Sequence, residues 1–288
     1  MHALETFKAA FNETALKVFQ RCLQEAKQPL PENDMPWYLA NSTEVTGHLT
    51  PAHAKLLQSL SSDWLVVPAG LQWDTPAQTP ESRSLALEWL AVQLRDTGNI
   101  NGWRNEKFSF WPHHLSPDDM ASLPTLTRLE AFRMERSAFR FLGLHSHAVH
   151  INGFTPQGDM WCGRRALSKS VDPGMLDNLA AGGLPAGELL FECGVREMAE
   201  EAGLSSTLAG TAMPLGQVVT CRTVPEGWHH ETLWVYNLTL PEYVKPQNQD
   251  GEVSEFVCLS PLEVVKAIEE KRFTVDAACV IAQAVMHA

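Results

Sequence analysis

The sequence predicts a mixed α/β fold in two parts, on three observations. Helical and strand-like hydrophobic spacings alternate along the 288 residues. Hydrophobic residues make up 44% and charged residues 19%, which is enough apolar content for a packed core and too little charge for a disordered chain. A turn-rich stretch from His113 to Pro124 separates a tryptophan-rich first part from the second. The expected division is a small mixed α/β N-terminal domain at 1–120 and a second domain at 121–288.

The elements follow in order. Leu4, Phe7, Phe11, Leu16, Phe19 and Leu23 recur at helical spacing, so residues 4–26 read as helix. The polar, proline-containing run Lys27–Asp34 ends it. Strand-like pieces follow at Trp37–Ala40 and Trp64–Val67, with a helix between them starting at Thr50-Pro51. Ser82–Arg95 is helical, with Leu87, Leu90 and Leu94 on one stripe. Six tryptophans lie in this part (Trp37, Trp64, Trp73, Trp89, Trp103, Trp111) and read chiefly as core and interface aromatics. Arg128–Leu142 reads as a helix. From His145 the pattern turns to strands, at His147–Phe154, Met160–Arg164, Gly216–Thr223, Thr232–Leu240 and Val253–Leu259. Ser260-Pro261 then starts a last helix, Leu262–Glu270.

Charge and cysteine usage narrow the function. Asp and Glu (34) outnumber Lys and Arg (22), for a net charge of −12 at pH 7. Nucleic acid and anionic membrane are therefore not expected as partners, since both need basic surfaces. An anionic substrate would need a metal cation or a local basic patch. No apolar run approaches the roughly 20 residues a bilayer demands. The start, Met1 to Glu5, lacks the basic-then-apolar pattern of a signal peptide. The six cysteines form no CxxC pair, which argues against zinc ribbons and redox motifs. Cys221, Cys258 and Cys279 have apolar neighbours and read as buried free thiols, which fits a reducing cytoplasm. The oligomeric state is not legible.

The most informative segment runs from Gly182 to Leu204. A Gly/Pro-rich loop precedes a helix from about Leu189 to Ala202, and Gly203 stands where a left-handed C-terminal residue is wanted. Glu197, Glu200 and Glu201 lie at i, i+3 and i+4, so their carboxylates share one face. They also crowd the negative end of the helix dipole, where anions are unfavourable. Arg196 offsets part of that cost. A divalent cation would offset more, because hard cations take oxygen ligands.

Gly182, five residues, Glu188, seven residues, then Arg196-Glu197-Met198-x-Glu200-Glu201-x-Gly203-Leu204 resembles the Nudix box at every fixed position. The resemblance implies an α/β/α sandwich with a mixed sheet and Mg²⁺-dependent hydrolysis of a diphosphate linkage, with Mn²⁺ as a substitute. It implies Glu197 and Glu201 as metal ligands, Glu200 as ligand or helper of the base, and the Gly182 carbonyl completing the site. Arg196 would orient the glutamates, while Glu188 and Gly203 would be structural.

The segments Val149–Phe154, Trp161–Arg165, Asp172–Gly183 and Asn248–Val253 resemble, more narrowly, the thiamine pyrophosphokinase-related Nudix proteins, which carry an extra N-terminal domain. That resemblance implies a small-molecule diphosphate substrate, thiamine diphosphate or its oxidised analogues, cleaved to the monophosphate. A nucleoside diphosphate derivative is the alternative, and a non-catalytic ligand-binding protein a remoter one. Arg165 and Lys169 are the nearest basic candidates for phosphate, and Glu252 is a candidate base in an Asp250-Gly251 turn. Trp228, His229 and His230, on an expected loop after Pro225-Glu226-Gly227, are candidates for the substrate ring. Adjacent histidines in a strand face opposite sides, so zinc is not expected there.

Overall fold

The computed structural model describes residues 2–286; Met1, His287 and Ala288, which the expected domains include, lie outside that range. A seven-stranded mixed sheet carries the second half. Its main path runs Met213–Val224, Gly227–Thr239, His145–Phe154, Met160–Arg165, Val253–Leu259. Ala180–Gly183 adds to His145–Phe154, and Leu176–Asp177 to Met160–Arg165. The Gly227–Thr239 strand lies parallel to His145–Phe154, with His230 opposite His145, and the other pairings are antiparallel.

Strand alternation sends successive side chains of His145–Phe154 to opposite faces. Val149 and Ile151 meet Leu190, Cys193 and Met198 of the helix Leu190–Ala202. Ala148, with Leu233 and Val235, meets Cys279 and Val280 of the helix Val275–Met286. Helices thus cover both faces, which is the expected sandwich. Among the described residues no helix is long and apolar enough to cross a membrane.

The first half carries a second sheet, ordered Val45–Leu49, Met35–Leu39, Gly70–Trp73, Trp64–Val67, with the helices Pro51–Leu60 and Pro80–Asp96. Trp37, Trp64 and Trp73 are buried in its core as expected, whereas Trp89 is exposed.

Packing redraws the two-part division. The helices His2–Ala9 and Glu13–Glu25 bury Phe7 and Phe19 against the C-terminal helices, in one core with Phe154, Val264 and Ile281. The core of the tryptophan-rich part extends past residue 120, from Trp37 to Leu144. We therefore propose an accessory unit bounded by that core, with the first two helices belonging to the sheet-bearing domain, in place of 1–120 and 121–288.

Three local expectations need correction. Arg128–Leu142 is not one helix: the helix Leu123–Leu129 gives way to a strand Phe132–Glu135, a 3₁₀ turn Arg136–Ala138 and a short helix Phe139–Leu142. The strand forms because Phe132 and Met134 point into the core while the backbone pairs with Lys107–Phe110. The helix Val275–Met286 was not expected. It is apolar on nearly every side and so shows no stripe, as a fully buried helix should. Cys279 is buried, but Cys221 is half-buried and Cys258 exposed, because both lie on outer strand positions.

Candidate active site

The helix Leu190–Ala202 ends as its sequence requires. Gly203 adopts φ +65°, its N–H donates to Ala199 O at 3.1 Å, and Leu204 turns back into the core. The carboxylates project toward the strand Ala180–Gly183. The Ala181 N–H donates to Glu201 Oε2 at 2.9 Å. Gly182 packs flush against the Glu197 side chain, so any Cβ there would overlap it.

Arg196 organises the group. Its Nε and Nη2 donate to the two oxygens of Glu188 at 3.0 and 2.9 Å. Its Nη1 donates to Glu197 at 2.8 Å and to Glu200 at 3.0 Å. The hydrogen bonds to Glu188 hold the guanidinium's pKa above its ordinary value despite burial. Glu188 thus anchors Arg196, while Glu200 stays half exposed at 50%.

One guanidinium does not neutralise the cluster. Burial pushes the Glu197 carboxyl up to about 7, against the pull of Arg196. Burial and the Glu197 charge push Glu201 well above the ordinary range, against the Ala181 hydrogen bond. Two half-buried carboxyls pushed toward their neutral forms, beside a backbone strand, make an all-oxygen donor set short of positive charge. That set fits a hard divalent cation.

These shifts carry a pH dependence in metal-free protein. The folded chain holds the Glu197 proton more tightly than the unfolded chain does. Stability present at low pH is therefore lost as pH rises from about 4.5 to about 7, up to roughly 3 kcal/mol. Buried His147 and half-buried His145 and His230 act in the opposite sense. Burial lowers their pKa values, to about 3 for His147 and about 4 for His230, so their contribution is lost as pH falls below 6.5. The difference between wild type and Glu197→Gln cancels the histidines. In chelator, the urea midpoint of the variant is expected to gain on wild type between pH 5 and pH 8; a constant difference would contradict the assignment.

A cavity of about 480 Å³ opens beside the glutamates. Gly182, Arg165, Lys169, Arg196, Glu197, Glu200 and Glu252 all line it. Lys169 Nζ donates to Glu252, although the two lie 83 residues apart in sequence. Burial pushes the Glu252 carboxyl up, but Lys169, Arg104 and Arg136 outweigh it and hold it below the ordinary range. Arg165 spends its donors on bracing: Nη1 to Asp177 at 2.8 Å, Nε and Nη2 to Val171 O at 3.1 and 3.0 Å. From His150 on the cavity wall, a hydrogen-bonded chain runs through Asn178 and Asn152 to Asn237 across the sheet.

The ring candidates are placed elsewhere. Trp228, His229 and His230 sit within the strand Gly227–Thr239, not on a loop, and none of them lines the cavity. The turn contracts to Pro225-Glu226 because Val224 already pairs with Gly227. Trp228 and His229 are buried, and His230 stacks on His145 at 4.2 Å. His229 Nε2 approaches Glu231 and Asp276 at 3.7 and 3.6 Å, but Arg222 already grips Asp276 with two bonds of 2.7 and 2.8 Å. Phe108, Phe139 and His150 do line the cavity.

Sequence reasoning missed the accessory unit's contribution. Arg104, Phe108, Arg136, Phe139 and Arg140 line the same cavity as the box glutamates. A basic pair at i, i+4, Arg136 and Arg140, was the available signal.

Residues 144–283 match the family described as NUDIX domain. Nudix hydrolase 20, chloroplastic, of Arabidopsis thaliana is 36% identical over 202 residues, covering 68% of this chain and 50% of that protein. Nudix hydrolase 24, chloroplastic, of the same plant is 34% identical over 205 residues, covering 70% and 53%. An uncharacterized protein of Saccharomyces cerevisiae is 29% identical over 199 residues, covering 63% and 54%. The chain spans about half the length of the curated relatives it matches.

Proposed function

The chain carries a domain of the Nudix family, and from that premise we propose that it hydrolyses the diphosphate linkage of a small-molecule substrate. The observation that carries the proposal is the half-buried carboxyl pair Glu197 and Glu201, held against Ala181 and Gly182 with too little positive charge nearby. Glu197, Glu200, Glu201 and a carbonyl of the 180–183 strand would hold Mg²⁺, or Mn²⁺ in its place. When bound, the cation would neutralise the glutamates and phosphate oxygens together and polarise the phosphoryl group.

The chain's own residues do the rest. Arg196 holds Glu197 and Glu200 in one orientation through its anchor on Glu188. Glu252, kept ionised by Lys169, accepts the proton of the water that attacks phosphorus, and the anhydride P–O bond breaks. Lys169, on the loop after the strand Met160–Arg165, and Arg165, at that strand's end with any donor left by its bracing bonds, face the phosphates.

In this reading the substrate is thiamine diphosphate or an oxidised analogue, and the product the monophosphate. Support comes from the resemblance of Val149–Phe154 and Asp172–Gly183 to the thiamine-related proteins. Glu226 and Glu231 on the cavity wall suit a cationic ring. The six free thiols suit a reducing compartment, in this reading the cytoplasm.

The test incubates the full chain, with Mg²⁺ or Mn²⁺, with thiamine diphosphate, its oxo and oxy analogues, and nucleoside diphosphate derivatives, and identifies the products. A thiamine-type monophosphate is the expected product. Turnover of nucleoside derivatives alone would move the substrate class. No product from any compound with either metal would overturn the hydrolase reading.

A further inference from the structure

Six cationic side chains line the cavity, and they are engaged to different degrees. Arg196 is bonded to three glutamates, Arg165 to Asp177 and Val171 O, and Lys169 to Glu252. Arg104 lies 3.8 Å from Glu252. Arg136 and Arg140 differ. Arg136 makes one side-chain bond, Nη1 to Glu106 at 2.5 Å, which leaves Nε and Nη2 unspent. The guanidinium of Arg140 has no hydrogen bond or ion pair among the described residues, although the residue is half-buried. A half-buried cation without a partner in a cavity is placed for an anion that arrives from outside.

Position adds to chemistry. The Arg136 guanidinium lies over the Phe108 ring, 5.0 Å from its centre. Phe108 in turn packs flush on Gly183, the neighbour of Gly182, so Arg136 is carried to the edge of the box glutamates. Its charge reaches both Glu197 and Glu252. Arg140 follows one turn later, where its carbonyl is packed against Gly227 at the hairpin turn. Both side chains line the one cavity, so each can address one of two adjacent phosphoryl groups. Between them, the buried Ser137 Oγ has no hydrogen-bond partner. An oxyanion held by the two arginines would give it one.

We propose that Arg136 and Arg140 form a diphosphate cradle supplied by the accessory unit, which grips the substrate's diphosphate without needing the metal. The cradle rests on the diphosphatase reading for its biological ligand but not for its binding chemistry. It makes the site composite: the box glutamates come from one unit and the phosphate grip from the other.

The probe is inorganic pyrophosphate, titrated calorimetrically into the full chain at low salt with excess chelator. Wild type is expected to bind, and Arg140→Gln or Arg136→Gln to weaken binding about ten- to a hundredfold, the range of a lost charged hydrogen bond. Arg140→Lys keeps the half-buried charge but not the two-pronged fork, so an intermediate loss is expected. That variant also serves if Arg140→Gln fails to fold. With a turned-over diphosphate, Arg140→Gln is expected to raise KM by more than it lowers kcat. Absence of pyrophosphate binding by wild type, or equal binding by all variants, overturns the cradle even if the chain hydrolyses diphosphates. Loss of binding in the variants of a chain that hydrolyses no diphosphate supports the cradle and removes the hydrolase reading instead.

Discussion

Glu201→Gln is expected to lower turnover on the order of a thousandfold while making the metal-free protein more stable. The two effects have one cause. Burial and the adjacent Glu197 charge push the Glu201 carboxyl well above the ordinary range. In water near pH 8 its ionised form is therefore a cost that the folded chain carries. Glutamine keeps the shape and can still accept the Ala181 N–H bond, but it brings no charge to bury. Metal-free melting is expected to rise by a few degrees, the scale of about 1 kcal/mol in a chain of this size. A cation that needs this oxygen loses a charged ligand, and removing one contact from a preorganised electrostatic site costs about 10²–10³ in rate even when that contact is a neutral donor. Melting curves with and without saturating Mg²⁺ separate the roles. Wild type should gain stability from the ion by mass action, and the variant should gain little. Full turnover in the variant, or an unchanged response to Mg²⁺, would remove Glu201 from the metal site.

Local features of the site were legible and its long-range assembly only partly so. Glu197, Glu200, Glu201, Arg196 and Gly203 fall on one helix, where spacing alone fixes which side chains meet. Lys169 and Glu252 come together across 83 residues; the sequence marked one as a nearby basic residue and the other as a turn acid, but not that they meet. Arg136 and Arg140 were hidden because Arg128–Leu142 has helical spacing, while tertiary pairing with Lys107–Phe110 turns Phe132–Glu135 into a strand. The hairpin misled for a related reason. Pro225-Glu226-Gly227 has loop composition, but a two-residue turn is enough, and the strand resumes at Gly227 and buries Trp228. The helix Val275–Met286 escaped because amphipathic spacing marks half-exposed helices, not buried ones.

Gly182→Ala is expected to damage the site as severely as the loss of a ligand, although it adds a single methyl group. Gly182 has no left-handed φ, so its need for glycine is one of space. It pairs with Val149 in the sheet, which fixes the backbone and the direction any Cβ would take. That Cβ would stand 2.6 Å from Glu197 Cγ and closer still to its carboxyl carbon and oxygen. The strand cannot retreat without breaking its pairing, so Glu197 must turn away. Turning breaks the 2.8 Å bond from Arg196 and removes one proposed ligand from the cluster. A displacement of about 1 Å at reacting groups costs on the order of a hundredfold in rate, and here the displaced group is itself a ligand. The fold should fare better. Overpacking costs roughly 1–3 kcal/mol, but moving a half-neutralised carboxyl from burial toward water returns part of it. A cooperative melt near that of wild type, turnover reduced a hundredfold or more, and weakened binding in a Mn²⁺ titration followed by electron paramagnetic resonance are the joint expectation. Wild-type turnover with wild-type Mn²⁺ affinity would show that Glu197 works from a different rotamer, and the metal site would have to be rebuilt around Glu200 and Glu201.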